Sequence, residues 1–534
     1  MNLNRRAFLK RAGAGAAGLG LASWTSSCRS LLPAHGAGPL PRSTPEAEGI
    51  ASAGILAFLD AAARGGHELH SFMVVRHGRV AAEGWWSPYG PGFNHALYSL
   101  SKSFTSTAVG FAVAEGKLRV EDKVVSFFPD AKPAGVSEYL AALRVKDLLS
   151  MAVGNEKEPT LAMVKEDDWV KAFLSAPITH LPGSLFMYNS GATYMCSAIV
   201  QRVTGRKVLD YLRPRLFEPL GLEGLTWETC PRGINTGGWG LGIPTEGLAK
   251  FGQLYLQKGS WQGRQLLPAR WVDEATSFKI QQPAPAKPGR PNEENDWLQG
   301  YGYQFWRCRH HAFRGDGAYG QYMIVMPEQD AVVAITAECK DMPGELDAVW
   351  DHLLSAMHPQ PIPADPPTLD RLRQRLSSLA LPLPAGLASS PPLDARWSAQ
   401  SYRLQPNSLG LQSAHFAFPR DGCVLTLHDG HRAHPLPCGF GKWQRGETAL
   451  PGTPPRLISG GAARPGTPFK IAAAAAWQDG NTLELMLRYY ETPHHDTITC
   501  RFEGDAVQIT FMNSMAAMSA NPKDSRPVLH GVLS

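Results

Sequence analysis

The sequence predicts an α+β fold joined to a C-terminal all-β domain, on three observations. Over residues 46–357, helical and strand-like patterns alternate, as mixed layers of helix and sheet require. Residues 358–394 are rich in proline and serine and read as a linker carrying one polar helix around 369–379. From Trp397 onward the pattern turns to short runs of period two between Gly, Asp and Pro turns. That is the mark of a small β-barrel or sandwich over 395–534.

The chain has 534 residues, 43% of them hydrophobic and 19% charged, enough for several domains and at least one large core. Disorder, collagen and a small disulfide scaffold are excluded by composition. The net charge of +5 sits at one end: residues 1–30 hold Arg5, Arg6, Lys10, Arg11 and Arg29 and no acid. The remainder is balanced, so no nucleic-acid partner is expected, since such binding needs a dense basic face.

Residues 1–30 read as a twin-arginine signal peptide. Asn4-Arg5-Arg6-Ala7-Phe8-Leu9-Lys10 precedes a glycine-rich apolar run that is shorter than the roughly 20 apolar residues a membrane span takes. Export to the periplasm or the exterior is the expectation. Membrane attachment is expected only through a lipid on Cys28, although Thr25-Ser26-Ser27 lacks the usual apolar residue three back. Residues 31–45 form a Pro/Gly linker. None of the eight cysteines has a C-x-x-C partner, so most are expected as small buried residues, with a Cys423–Cys438 bridge left open.

Within 46–357 the elements follow in order. Residues 72–76 and 80–86, divided by His77-Gly78-Arg79, predict a β-hairpin. Residues 99–115 predict a helix closed by Gly116, with Leu100, Phe104, Ala108, Phe111 and Ala112 broadly at helical spacing. Further helices are expected at 145–152, 168–174, 192–203 and 248–257. Residues 322–327 and 331–337 predict a second strand pair around Glu328-Gln329-Asp330. In the C-terminal domain the clearest strands are 423–428, 483–490, 497–502 and 507–511.

Chemistry enters at Ser99-Leu100-Ser101-Lys102. A serine hydroxyl is a poor nucleophile at neutral pH. A lysine three positions along a helix lies on the same face, and when buried its amine loses its proton readily and can take that of the serine. Alone, the pattern better suits a surface helix start with Ser99 as N-cap. Two further segments change the balance: Pro182-Gly183-Ser184-Leu185-Phe186-Met187-Tyr188-Asn189-Ser190-Gly191, and Arg314-Gly315-Asp316-Gly317-Ala318-Tyr319-Gly320-Gln321-Tyr322. The spacing Gly315-x-Gly317-x-x-Gly320 precedes a strand, not a helix, and so is no dinucleotide fingerprint.

With these three segments in this order, the sequence resembles the serine β-lactamase and penicillin-binding-protein superfamily over about 45–357. The likeness is greatest to its class C branch, with the esterases and 6-aminohexanoate-oligomer hydrolases. Secondary landmarks agree, among them Val145-Lys146-Asp147-Leu148-Leu149-Ser150-Met151, Pro219-Leu220-Gly221-Leu222 and Gly237-Gly238-Trp239-Gly240-Leu241. The resemblance implies a β-lactamase-like fold, an antiparallel sheet flanked by helices plus an all-helical insertion. It implies Ser99 as nucleophile, Lys102 as its partner, and Tyr188 as the group that passes the proton to the leaving group and later activates water. It also implies an oxyanion hole from the backbone N–H groups of Ser99 and Ala318, with Ser190, Asp316, Gly317 and Tyr319 facing the substrate. No metal or organic cofactor is implied.

Two departures bear on substrate. Where β-lactamases carry Lys-Thr-Gly-Ala, this chain has Gly315-Asp316-Gly317-Ala318, and Ser190 replaces a common asparagine. Without that lysine, and with Asp316 expected to repel an anion, the reading is an esterase or amidase for a neutral or cationic small-molecule substrate. A peptidoglycan D,D-peptidase or weak β-lactamase is the alternative within the fold. A non-catalytic cell-envelope binding module is the alternative outside it, disfavoured because a binder needs no activated serine. Trp85, Trp86, Trp169, Trp239 and Trp306 are each expected in core packing before pocket lining. His310-His311 and His494-His495-Asp496 are not expected to bind metal, because neighbouring residues in a strand face opposite ways.

Overall fold

The computed structural model describes residues 38–284, 289–387, 391–458 and 468–534; the twin-arginine segment and Cys28 lie outside them. Among the described residues no helix is long and apolar enough to cross a membrane. The central feature is a six-stranded antiparallel sheet. Its strands are β1 (Glu68–Arg76), β2 (Arg79–Trp85), β3 (Trp306–Arg307), β4 (Phe313–Gly317), β5 (Gln321–Met326) and β6 (Ala331–Glu338). The order is β2-β1-β6-β5-β4-β3, so both predicted hairpins are present and the chain ends of this region pair, Glu68 opposite Glu338.

Both faces of the sheet are covered, because its strands are apolar at successive positions. Phe72, Val74, Ile324, Val333 and Ile335 enter one core, against α1 (Ser52–Arg64) and α5 (Met342–Ala348). Met73, Val75, Met323, Val325, Val332 and Ala334 enter the other. This second core holds α2 (Ser101–Ala114), α3 (Ser190–Thr204) and α4 (Thr245–Leu256), the helical insertion. The predicted helices at 145–152 and 168–174 are found as Val145–Leu149 and Trp169–Ser175.

Two details differ from expectation. Helix α2 starts at Ser101, and Ser99 sits in a preceding 3₁₀ turn, Tyr98–Leu100. The 358–394 segment is no free spacer. Its helix, Pro366–Ser377, buries Leu372 in the first core with Leu379. Farther on, Leu381 donates its backbone N–H to Ser87 O at 2.8 Å and Leu387 to Trp477 O at 2.9 Å.

The C-terminal region is a barrel, not a sandwich. Ten strands run β7 (Gln400–Leu404), β8 (Ser413–Ala417), β9 (Gly422–His428), β10 (Ala433–Phe440), β11 (Gln444–Thr448), β12 (Phe469–Trp477), β13 (Thr482–Arg488), β14 (His495–Glu503), β15 (Ala506–Asn513) and β16 (Leu529–Leu533). They form one sheet that closes on itself where β10 pairs parallel to β12, Gly439 opposite Ala474. The interior is filled at alternate positions, for example Leu483, Leu485 and Leu487 on β13 and Ile498, Cys500 and Phe502 on β14. Cys423 and Cys438 are direct cross-strand partners, and all seven described cysteines are buried free thiols.

Candidate active site

The 3₁₀ turn and the first turn of α2 put Ser99 and Lys102 side by side. Lys102 Nζ lies 3.0 Å from Ser99 Oγ, 3.1 Å from Ser190 Oγ and 2.8 Å from the Gly238 carbonyl oxygen. The three acceptors come from three segments, so the ammonium nitrogen is held at one point. Lys102 is 2% exposed. Burial pulls its pKa down to about 7, against the opposing pull of Glu158 and Asp316. A neutral amine next to the serine hydroxyl is thereby accessible at ordinary pH.

Tyr188 stands over the same nitrogen, its ring centroid 4.8 Å from Lys102 Nζ. Burial raises the phenol pKa and a hydrogen bond with Ser99 lowers it, with the rise dominant. The phenol therefore keeps its proton at neutral pH and is equipped to donate it. Asn189 caps α3, accepting the Ala192 N–H at 2.9 Å, which fixes the turn that carries Tyr188 and Ser190. Ser190 is the first residue of α3 and hydrogen-bonds Lys102, so it belongs to the lysine's cage.

The third segment closes the site from the sheet. Gly317 ends β4, and a Cβ there would lie 2.1 Å from the Leu97 carbonyl oxygen. Only a residue without a side chain allows the strand end so close to the segment that carries Ser99. Ala318 follows at once, and Tyr319 after it with φ +65°. On the other side, Tyr98 precedes Ser99 with φ +47°. A left-handed non-glycine residue costs about 1–3 kcal/mol and persists where its surroundings enforce it.

Asp316 corrects an expectation. It is no bare carboxylate facing the substrate: Arg314 Nη2 sits 2.9 Å from its Oδ2, with the side chains 0% and 9% exposed. Burial raises the Asp316 pKa and Arg314 opposes the rise. The pair is close to neutral, so Asp316 supplies little repulsion to an anion. The exposed acid at the site is instead Glu158, whose carboxylate accepts the Ser190 N–H at 3.0 Å. No sequence signal marked Glu158; only folding brings its loop to α3.

Among the tryptophans, Trp169 and Trp239 pack together in the core with ring centroids 5.8 Å apart. Trp306 differs. It stacks on Tyr188 at 5.6 Å and helps line a cavity of about 360 Å³ with Phe186, Pro283, Trp297 and Leu298. A larger cavity of about 510 Å³, near Gln253 and Trp261, contains none of the candidate groups.

The histidine pair at 494–495 behaves unlike two neighbours in one strand. β14 begins only at His495, so His494 is free to turn, and both rings bond Glu338, at 2.6 and 2.8 Å. One ligand atom each from Glu68, Glu338 and His495 lie within 4.8 Å of one another. The Glu68 carboxylate there is bound by the Arg488 guanidinium, which already supplies positive charge.

A family model described as Beta-lactamase matches residues 60–357. A 6-aminohexanoate-dimer hydrolase of Paenarthrobacter ureafaciens is 26% identical over 219 residues, 38% of this chain and 56% of that protein. Penicillin-binding protein 4 of Amycolatopsis lactamdurans is 31% identical over 129 residues, 23% of this chain and 34% of its own length. The chain thus spans about half of the first relative and a third of the second. A solved penicillin-binding-protein homologue from Caulobacter crescentus covers 59% of this chain and 99% of its own, at 19% identity and a TM-score of 0.47.

Proposed function

The chain belongs to the beta-lactamase family of serine hydrolases, and from that premise we propose that it cleaves a neutral or cationic ester or amide through an acyl-enzyme on Ser99. The observation that carries this reading is the 3.0 Å contact between a desolvated Lys102 amine and the Ser99 hydroxyl. Neutral Lys102 accepts the hydroxyl proton as Oγ bonds to the carbonyl carbon, and the carbonyl oxygen becomes the oxyanion. Backbone N–H groups of Ser99 and Ala318 receive that charge; one such donor is worth about 10²–10³ in rate. Collapse breaks the bond to the leaving oxygen or nitrogen, which takes the Tyr188 proton, and Lys102 returns one to Tyr188. Water then attacks the acyl-enzyme with the same pair as base.

The aromatic cavity lined by Tyr188 supports seating the leaving group there, next to the phenol that would protonate it, and its walls suit an apolar one. Glu158 favours a neutral or ammonium-bearing substrate, since a carboxylate brought to this exposed acid meets a like charge. Because Arg314 neutralises Asp316, Glu158 and not Asp316 is the charge that weighs against the D,D-peptidase reading. Export by the twin-arginine route is part of the same proposal; replacing Arg5 and Arg6 with lysine and fractionating cells tests it.

A fluorophosphonate probe tests the catalyst. Labelling of the folded chain that disappears in Ser99→Ala supports it, and no labelling overturns it. Turnover of short p-nitrophenyl esters against nitrocefin and a D-Ala-D-Ala peptide tests the substrate class. Clear preference for the anionic substrates would overturn the esterase or amidase assignment.

A further inference from the structure

We infer that the C-terminal barrel completes the active site: His494 is a positioning residue that braces both halves of the oxyanion hole from behind. This rests on the reading of Ser99 and Ala318 above and goes beyond it, because it assigns a catalytic task to a region with no catalytic motif.

The donors of the hole, Ser99 and Ala318, are flanked by Tyr98 and Tyr319. Both tyrosines hold left-handed backbone, at φ +47° and +65°, Tyr98 as the first residue of the 3₁₀ turn and Tyr319 in the turn after β4. One imidazole contacts both. The Tyr98 hydroxyl hydrogen-bonds His494 Nε2, and the Tyr319 ring meets the His494 ring edge-on, centroids 4.9 Å apart at 89°. The two tyrosine rings also touch each other at 5.7 Å.

His494 is itself fixed. Its side chain is 0% exposed, and Nδ1 lies 2.6 Å from Glu338 Oε1, the last residue of β6. A carboxylate accepts only, so Nδ1 carries the proton and Nε2 is left to accept the Tyr98 O–H. The Leu457 backbone N–H reaches the same hydroxyl, which makes donor and acceptor roles consistent along the chain. Ser514 Oγ donates to Glu338 Oε1, and His495 Nδ1 holds the other oxygen at 2.8 Å. Three donors thus hold Glu338, and its bond to Nδ1 fixes the imidazole in place.

The consequence is geometric. Backbone donors stabilise an oxyanion only when aimed at it beforehand, and the two strained residues next to them lean on one ring from the barrel. Cutting that support loosens the aim in the transition state without removing a group that binds substrate. The loss is therefore expected in kcat, with KM spared.

The experiment uses the full chain, with His494→Leu, His494→Gln, Tyr98→Phe and the Leu/Phe double variant assayed on p-nitrophenyl acetate, folding checked by circular dichroism. Relative to the ~10²–10³ that one hole donor is worth, His494→Leu is expected to lower kcat about 10- to 100-fold, with KM changed by less than about threefold. Tyr98→Phe is expected to follow it, and the double variant to lose no more than the worse single one, as a shared contact requires. His494→Gln, whose amide can reach Tyr98, is expected to recover most of the loss. Wild-type kcat in folded His494→Leu and Tyr98→Phe, or fully additive losses, would overturn the inference. If His494→Leu does not fold, Tyr98→Phe decides alone, since it removes one oxygen and leaves the ring packed. Ser99→Ala run in parallel separates the two claims: activity surviving it overturns the nucleophile and not the brace.

Discussion

Arg314 and Asp316 flank Gly315 on β4 and form a buried ion pair, with Arg314 Nη2 and Nε both 2.9 Å from Asp316 Oδ2. Arg314 is otherwise held among the rings of Trp297, Trp306 and Tyr322. An acid that the sequence presents as a free charge beside the nucleophile is part of the wall.

Breaking such a pair strands a charge. Asp316→Leu is expected to destabilise the fold by about 3–5 kcal/mol, while Asp316→Leu combined with Arg314→Met is expected to recover much of it. Thermal unfolding of the two variants checks this. A single variant as stable as the wild type would show that the pair contributes nothing.

The rate should depend on pH through Lys102. Burial holds its pKa near 7; below that it is protonated and cannot accept the Ser99 proton, so kcat/KM should rise with pH through about 7. Glu158 pulls the same pKa up, so Glu158→Gln should move the rising limb to lower pH. Profiles from pH 5.5 to 9 read both effects. A limb unmoved by Glu158→Gln would remove that carboxylate from the site's electrostatics.

Tyr188→Phe separates the acid from the base. With its proton held firmly by burial, the phenol is needed most where the leaving group is a poor one. The variant should lose about 10²–10⁴ on an alkyl ester or amide and clearly less on p-nitrophenyl esters, whose leaving group departs without a proton. Equal losses on both would assign Tyr188 to acylation instead.

Gly317→Ala tests how the two donors are brought together. Its Cβ would lie 2.1 Å from the Leu97 oxygen, and backbone must move to relieve that. Displacing one donor is expected to cost about 10²–10³ in kcat with the chain still folded. Steady-state kinetics next to a melting curve distinguish this from general damage.

The residues proposed to do chemistry were legible because their spacing is local. Ser99 and Lys102 share a helical turn, and the Tyr188 and Ala318 segments each carry several signals at once, turn glycines beside polar side chains. The strands of the sheet and barrel were legible through alternation, though not their partners, since register depends on residues far away in the chain. Glu158, Arg314 as the partner of Asp316, and Trp306 beside Tyr188 had no such mark.

The sequence by itself determined the family, pointed to Ser99, Lys102 and Tyr188 as the groups proposed for catalysis, and gave the order of an α+β body before an all-β one, because each follows from side-chain chemistry at short range. Tertiary structure alone decided that Asp316 is neutralised, that His494 and His495 share one carboxylate, and that a barrel residue stands behind Tyr98. The last two depend on which surfaces meet when β6 ends beside the barrel, and no periodicity or spacing along a single chain encodes a contact between residues 396 positions apart.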